Sequence, residues 1–420
     1  MKKLLNVLLV IALLLTLLPI SVMADNAPIV INYWQYYYES KVELMDQLIQ
    51  EFETANPNIK VIQTTFPYEG YEEKLAAAIQ GGTAPEIVNL FYGWVPKYVK
   101  AKVLQELPGE AFTPENIEKK FIDLVRISKF DGKYYTIPTA VRTLGLFYNV
   151  DLLKEAGYDA PPATLEEMVE VAKACTKRDG NGTMVQSGLT FQPNAQMHPF
   201  FRPCLLELFG AQTLSEDYRK VLWNQSEAGY HAFDFLCMLG GKDGFGEPDF
   251  QGGDSNAFIN GTAAMTIDGS YRLSTLYTKG QNINWAVTEI PSNNGIRSTF
   301  GSFWCNGVLA GVKDEKLEAS AKFLEFLTSY DVMRRWTETV GELGASHEIA
   351  NDPALLADPI MAPFIKSLNY ASSYFYVDEA ADRQIILDAI DMVLLENMDT
   401  REVLDYAVER AQAQLDEYWD

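Results

Sequence analysis

The chain has 420 residues, of which 48 % are hydrophobic and 22 % are charged, a composition typical of a globular protein and not of a disordered one. That length exceeds what one ordinary hydrophobic core accommodates, so we expect two or three domains. The formal net charge of −23 disfavours nucleic acid and anionic membranes as partners. It suits a neutral ligand better than a polyanion, although a local basic pocket would override the average.

The N-terminus has the pattern of a secretory signal peptide over residues 1–24. The basic start Met1–Lys3 precedes the apolar run Leu4–Ile20, and small residues at a cleavage position follow. The alternative is a membrane anchor, which the cleavage-like residues disfavour. The first cysteine is Cys175, so no cysteine near the cleavage position can carry a lipid. We therefore expect a periplasmic or secreted protein.

Strands and helices alternate in the first hundred residues of the mature chain. The expected elements are strand Ile29–Trp34, helix Lys41–Thr54, strand Ile59–Phe66, helix Tyr71–Gln80 and strand Glu86–Phe91. Such alternation is typical of a largely parallel sheet with helices on its faces. Ligands bind beyond the carboxyl ends of strands in these sheets, which singles out residues 36–39 and 91–94.

Residues 131–167 mark the point where the chain leaves one lobe and enters another. Asp131-Gly132 predicts a tight hairpin turn, and Pro138 is expected to end the strand that follows it. The next expected elements are a strand at Leu144–Tyr148, a helix at Asp151–Ala156 stopped by Gly157, and a helix opened by the capping box of Thr164 and Glu167. Further helices are expected at Pro199–Phe209, Ser226–Leu239, Glu315–Ser329, Pro353–Leu368, Glu379–Glu396 and Thr400–Tyr418.

Three ordered motifs carry a resemblance to a known family. They are Gly-Lys-Tyr-Tyr-x-Ile-Pro at 132–138, Leu-Phe-Tyr-Asn-x-Asp-Leu-Leu-Lys-Glu-Ala-Gly at 146–157 and Phe-x-x-Gly-x-Ala-Ala-Met at 258–265. This pattern resembles the family 1 extracellular solute-binding proteins, the maltose-binding-protein-like carbohydrate receptors of ABC importers. The resemblance covers nearly all of residues 29–418.

The resemblance implies an α/β fold of two lobes, the type II-like periplasmic binding protein fold, with a hinge and a ligand cleft between the lobes. Lobe 1 is expected at 25–137 plus 288–332, and lobe 2 at 138–287 plus 333–420. Hinges are expected near Pro138–Arg142, Ala286–Pro291 and Met333–Gly341. The implied function is a monomeric receptor without a cofactor, which binds a sugar or short oligosaccharide by hinge closure and delivers it to the membrane subunits of an ABC permease.

Aromatic and polar residues concentrate at the expected strand ends and crossings, as a sugar site requires. Rings cover the apolar faces of a sugar, while charged and amide groups satisfy its hydroxyls. The candidate ligand contacts are Tyr36, Tyr37, Glu39, Tyr92, Trp94, Arg142, Asp268, Tyr271, Ser302, Trp304 and Tyr374. Tyr271 stands where the family more often has Trp. Core packing is the competing interpretation for the aromatic residues, and a structural salt bridge for Arg142.

No recognised catalytic constellation is visible, so we expect a protein that is not an enzyme. The three histidines lack zinc-ligand spacing, and there is no nucleophile elbow, phosphate loop or dinucleotide fingerprint. Two alternatives remain open. The C-terminal pattern from Ala407 to Leu415 resembles receptors for glycerol 3-phosphate or glycerophosphodiesters within the same family. The abundant carboxylates also leave a secreted carbohydrate-active enzyme open.

Two further features stay undecided by the sequence. The cysteines Cys175, Cys204, Cys237 and Cys305 permit three disulfide pairings or none. Residues 179–183 imitate the start of a calcium loop, but the sixth and twelfth positions lack the expected Gly and Glu. A plain glycine-rich turn explains the same residues.

Overall fold

The computed structural model describes residues 27–241 and 244–420, so the predicted signal peptide at residues 1–24 lies outside the described residues. In these ranges the strands are β1 (Ile29–Tyr36), β2 (Ile59–Phe66), β3 (Ile87–Phe91), β4 (Lys129–Phe130), β5 (Lys133–Tyr134), β6 (Thr136–Asn149), β7 (Lys177–Arg178), β8 (Met184–Gln186), β9 (Met265–Gly269), β10 (Trp285–Thr288), β11 (Thr299–Val308), β12 (Leu343–Gly344) and β13 (Ala371–Ser372).

The described residues also contain seventeen α-helices. They are α1 (Glu39–Ala55), α2 (Tyr71–Gly81), α3 (Val95–Lys100), α4 (Pro114–Lys120), α5 (Val150–Glu155), α6 (Leu165–Cys175), α7 (Leu206–Leu208), α8 (Glu227–Gly240), α9 (Asp254–Ile259), α10 (Arg272–Lys279), α11 (Asp314–Leu327), α12 (Tyr330–Val340), α13 (His347–Ala350), α14 (Pro353–Ala357), α15 (Ala362–Ser367), α16 (Glu379–Leu394) and α17 (Thr400–Trp419). None of these described helices is both long enough and apolar enough to cross a membrane.

One nine-stranded sheet runs through the molecule in the order β10-β6-β11-β3-β1-β2, and β9, β12 and β13 pair with β6 or β11 off that path. β1 pairs in parallel with β2 and β3, as the alternation of elements predicted. β6 connects the two halves of the sheet. Up to Thr143 it pairs with β11 and β12, and from Leu144 onward it pairs with β9 and β10.

The prediction that Pro138 ends a strand was wrong, because Pro138 lies inside β6. It is opposite Cys305 of β11, and the register shifts between Trp304 and Cys305 so that Thr139 has no directly opposed residue. A proline removes one donor from the ladder, and a bulge is one of the few places in a sheet that accommodates this loss. The predicted hairpin is confirmed: Asp131 and Gly132 both have positive φ, at 49° and 78°.

Two predicted helices are broken for the same reason. The segment 199–209 contains turns of π type and only a short helix, and Arg202 within it is non-helical at φ −118° and ψ 125°. The segment 353–368 divides into α14 and α15 at Asp358, whose ψ is 120°. Each break falls on the residue before a proline, where the ring disfavours the helical region. The capping box of Thr164 and Glu167 is present as predicted.

Helix α12 packs against α1. Arg335 of α12 donates to both carboxylate oxygens of Glu51 in α1, each at 2.7 Å. Residues 333–340, which the sequence assigned to lobe 2, therefore lie beside an element assigned to lobe 1.

The two undecided features of the sequence have plain structural explanations. All four cysteines are buried and unpaired. In the segment 179–183, the Asp179 carboxylate accepts from the backbone N–H of Asn181 at 2.8 Å and of Thr183 at 3.0 Å, which makes a closed polar turn. Among the residues that the structure describes, no group of three or more His, Cys, Asp or Glu side chains is placed to hold a metal ion.

Candidate functional site

A cleft of ≈ 410 Å³ lies where the end of β1, the middle of β6 and the start of β11 meet the chain after β9. Segments 194–199 and 376–383 close its remaining sides. These elements come from both halves of the nine-stranded sheet. The cleft therefore has the position that the strand-end rule for α/β sheets predicts.

A platform of aromatic rings forms one wall of the cleft. The rings of Tyr36 and Trp304 are tilted by 33° with centroids 4.0 Å apart, so they overlap closely. Tyr68 meets both of them edge-on, at 5.9 Å and 6.1 Å. Trp94 packs edge-on against Trp304 from the core at 5.3 Å and 82°. The platform is thus packed from behind, and Tyr36, Tyr68 and Trp304 all line the cleft.

Tyr271 occupies another wall, directly after β9. Its ring centroid lies 5.0 Å from the guanidinium carbon of Arg142, which is a cation–π arrangement. Its hydroxyl accepts from the side-chain amide of Gln196 at 3.0 Å. The Tyr38 hydroxyl donates to the Tyr271 carbonyl at 3.3 Å. Tyr271 therefore links residues from β6, from the 194–199 segment and from the end of β1.

An ionic cluster lies behind these rings, with Glu342 at its centre. The Oε1 atom of Glu342 is 2.9 Å from Lys41 Nζ and 3.0 Å from Arg142 Nε, while Trp336 donates to Oε2 at 3.0 Å. Burial would raise the pKa of Glu342, but Lys41 and Arg142 outweigh it and hold this pKa below its usual range. Burial lowers the pKa of Lys41 from 10.5 to about 8 in spite of Glu342. At neutral pH both Lys41 and Glu342 are therefore charged.

The far side of the cleft carries paired charges. Arg383 donates two hydrogen bonds to the Glu379 carboxylate, at 3.1 Å and 2.7 Å. Behind it, Arg202 and Asp382 form a buried pair at 2.6 Å, and burial raises the pKa of Asp382 to about 6 despite that arginine. His198 is also buried in this wall, and burial holds its pKa well below the usual value. The imidazole is therefore neutral at physiological pH.

Six of the eleven residues predicted from the sequence line the cleft. They are Tyr36, Tyr37, Arg142, Tyr271, Ser302 and Trp304. Ser302 pairs with Arg142 across the β6–β11 ladder, so both residues reach the cleft at one level. Tyr37 lies at the rim with 53 % of its surface exposed. Their contact with a ligand stays a prediction.

The other five predicted residues lie outside the lining. Tyr92 is buried, and its hydroxyl donates to the Tyr374 carbonyl at 3.0 Å, which ties both residues into the core. Trp94 supports the platform from behind. Asp268 is buried, accepts from Gly269 N–H and holds Arg272 at 2.6 Å. Glu39 begins α1 and is exposed away from the cleft. Four of these residues are buried behind the side chains that line the cleft. Position at a strand end does not distinguish a lining residue from one buried behind it.

The cleft also contains residues that sequence reasoning missed. They include Lys41, Tyr68, Gln196, His198, Glu379 and Arg383. Tyr68 follows β2, so the rule used for β1 and β3 applied to it equally. Lys41 lies in the first turn of the helix after β1. No local signal marks Glu379 and Arg383, because only the tertiary fold brings the start of α16 to the sheet edge.

The sequence profile described as bacterial extracellular solute-binding protein matches residues 47–363. The chain belongs to this family. Among curated relatives, the maltotriose-binding protein of Pyrococcus abyssi is 22 % identical over 80 % of this chain and 71 % of that protein. The sn-glycerol-3-phosphate-binding periplasmic protein UgpB of Shigella dysenteriae is 26 % identical over 74 % of this chain and 73 % of that protein.

Solved structures agree with the fold that the sheet topology indicates. The GacH receptor of Streptomyces glaucescens, solved unliganded and with acarbose, superposes with a TM-score of 0.78 over 93 % of this chain and 99 % of that one, at 22 % identity. The α/β two-lobed fold of periplasmic binding proteins is thereby confirmed for this family member. The relatives and neighbours are binding proteins, in agreement with an extracellular solute-binding role.

Proposed function

We propose that this protein is the ligand-capturing receptor of an ABC importer and that its ligand is a sugar or a short oligosaccharide. The observation that carries the proposal is the composition of the cleft. A closely overlapping Tyr36–Trp304 platform lines the same cleft as several polar side chains, among them the amides of Asn194 and Gln196. Ring faces suit the C–H faces of a pyranose, and amides and charged groups suit its hydroxyls.

Family membership supports this function, and the names of several relatives support a sugar as the ligand class. A maltotriose-binding protein, a galactooligosaccharide-binding protein and a multiple sugar-binding protein are among the curated relatives. In this proposal the chain works as a secreted or periplasmic monomer, hands its ligand to permease subunits and does not alter the ligand chemically. Removal of residues 1–24 as a signal peptide is part of the same proposal.

Hinge closure over the ligand is the proposed mechanism of capture. Lobe 1 comprises residues 25–137 and 288–340, and lobe 2 comprises 138–287 and 341–420, with the boundary moved past α12 because α12 packs on α1. A ligand that contacts the platform on one side and Tyr271 on the other stabilises the closed form through its differential affinity for the two states. A permease then distinguishes loaded from empty receptor by shape.

The test is a thermal-shift screen of the mature protein, residues 25–420, against mono- and oligosaccharides, with glycerol 3-phosphate included. A ligand that binds only the native state adds about 2.7 kcal/mol of stability at 100 times its dissociation constant. We expect a shift with at least one sugar series, and we expect chromatography to recover that sugar intact. A shift with glycerol 3-phosphate and with no sugar would replace the proposed ligand class, and hydrolysis of the bound sugar would refute the receptor function.

Tyr271→Ala tests whether the cleft is the binding site. Loss of an aromatic contact in a desolvated site typically costs about 2 kcal/mol, so we expect the dissociation constant to rise at least about tenfold by calorimetry. Tyr277→Ala is the matched control, because Tyr277 lies in α10, is 49 % exposed and is absent from the lining of the cleft. Equal affinities of the two variants would place the ligand elsewhere.

A further inference from the structure

The cleft carries one positive charge that no carboxylate compensates. Glu342 is the carboxylate partner of both Lys41 and Arg142. Within the described ranges 27–241 and 244–420, neither cation has another carboxylate oxygen within 4.0 Å. Two cations therefore share one anion at the inner end of the site.

The other charges around the cleft are balanced in pairs. Glu379 is held by Arg383, and these two residues face the cleft from α16. Asp382 is held by Arg202, and Asp268 by Arg272. Asp254, which interacts with Asp268, has its pKa raised to about 7 by burial, so at neutral pH it contributes at most a partial charge.

Arg142 is the part of the cluster that a ligand can reach. Its side chain is 17 % exposed, compared with 3 % for Lys41 and 4 % for Glu342. Its Nε and Nη2 atoms are buried, and neither has a hydrogen-bond acceptor of acceptable geometry among the described residues. A buried cationic group with unused donors is costly, and an anion with two oxygens is the partner that matches a guanidinium fork.

We propose that the ligand of this cleft carries an anionic group, a carboxylate or a phosphate, which binds at Arg142. This inference rests on the proposed sugar-binding function. The two together make a uronic-acid-containing saccharide the first candidate ligand. The cluster supplies the compensating charge, and the aromatic platform receives the sugar rings. The chain's net charge of −23 does not argue against this, because charges on the outer surface are screened within about 8–10 Å at physiological salt.

The experiment is calorimetry on the mature protein with matched pairs of ligands. Neutral di- and trisaccharides are compared with uronic-acid counterparts oxidised only at C6, and glycerol is compared with glycerol 3-phosphate, with inorganic phosphate alone as a further probe. We expect the anionic member of a pair to bind at least about tenfold more tightly than the neutral member, since charge-assisted pairs in desolvated sites are among the stronger polar contacts.

Variants of Arg142 test whether this residue causes the preference for the anionic ligand. Arg142→Gln should weaken binding of the anionic member at least about tenfold more than it weakens binding of the neutral member. Arg142→Lys keeps the charge without the fork and should keep part of the preference. Arg335→Gln is the control with the same charge change, because Arg335 lies on α12 and pairs with Glu51 away from the cleft. Circular dichroism and melting check that each variant is folded.

Each outcome decides a different point. Tighter binding of uronic acids supports both the inference and the sugar-binding function. Tighter binding of glycerol 3-phosphate or phosphate, with no saccharide bound, supports an anion site at Arg142 and refutes the sugar-binding function. Neutral sugars that bind as tightly as their acidic counterparts overturn the inference and leave the sugar-binding function intact. Binding of no compound overturns both.

Discussion

Replacing Glu342 by Gln should be among the most destabilising conservative changes in this protein. Lys41 and Arg142 form ion pairs with the Glu342 carboxylate, which is 4 % exposed, and Trp336 donates a hydrogen bond to it. A glutamine amide has one oxygen and an NH₂ group in place of two oxygens. Its NH₂ group would therefore face donors, and the two cations would lose the anion that they share.

The magnitude follows from the burial of the charges. Removing one partner of a buried ion pair costs about 3–5 kcal/mol, because the remaining charge has left water without compensation. Here two cations remain. Arg142 cannot release its proton, but Lys41 can, since burial already lowers its pKa to about 8. Deprotonation of Lys41 limits the loss, so we expect Glu342→Gln to lower the free energy of unfolding by about 3 kcal/mol at pH 7.

Urea unfolding followed by circular dichroism measures this loss, and its pH dependence gives a second check. The pKa of Glu342 is lower in the folded state than in the unfolded state, so its contribution is fully present above the unfolded value and is lost as pH falls through the folded value. The difference between wild type and Glu342→Gln should therefore shrink below about pH 4. Between pH 7 and 5 it should grow as pH falls, because the folded variant holds Lys41 without the proton that its unfolded state binds.

Lys41→Met is the discriminating control for the same cluster. It removes one cation and leaves Glu342 paired with Arg142 and Trp336, so the remaining charges are balanced. We expect a change within about 1 kcal/mol, since the lost ion pair is offset by the removed desolvation cost of Lys41. A Glu342→Gln loss below about 1 kcal/mol, or a Lys41→Met loss as large as that of Glu342→Gln, would refute the assignment of two cations to one carboxylate.

Two further changes test features outside the cluster. Burial and the neighbouring Asp268 raise the pKa of Asp254 to about 7. Ionised Asp254 therefore destabilises the folded protein increasingly as pH rises from about 4 through 7. Asp254→Asn should stabilise the protein by on the order of 2–4 kcal/mol at pH 8 and have a much smaller effect near pH 4. No gain at pH 8 would contradict this. A Cβ at Gly188 would lie 1.9 Å from the Ala172 carbonyl oxygen, so Gly188→Ala should cost about 2 kcal/mol or more. Gly180→Ala, whose Cβ meets no atom within 4 Å, should by comparison leave the melting temperature nearly unchanged.

Local patterns were sufficient for the elements whose fold depends on near neighbours. β2 was predicted with both of its ends, because β-branched residues and a following Pro delimit it. The Thr164 capping box and the Asp131-Gly132 turn were predicted because each is made by residues adjacent in sequence. Pro138 was misread, since the bulge that accommodates it is formed by a strand more than 160 residues further along the chain.

The candidate site was only partly predictable for a related reason. Position at strand ends and crossings found Tyr36, Arg142 and Tyr271, which line the cleft, but it also selected Tyr92 and Asp268, which lie behind the lining. The rule gives the edge of the sheet at which a residue lies. Whether the side chain reaches the cleft depends on which other residues lie between it and the cleft, and these come from distant segments.

The charge of the cleft was the least predictable property, and it is the one that bears most on the ligand. Lys41, Arg142 and Glu342 are separated by about 100 and 200 residues, so no window of sequence shows that two cations share one carboxylate. An average over the whole chain indicates the opposite sign. Charges on the outer surface are screened within about 8–10 Å, whereas buried charges at the cleft are screened much less. The charges of the local cluster therefore act on the ligand more strongly than those of the outer surface. Selection of a neutral or an acidic sugar depends on Arg142 and on Glu342, the carboxylate that Arg142 shares with Lys41.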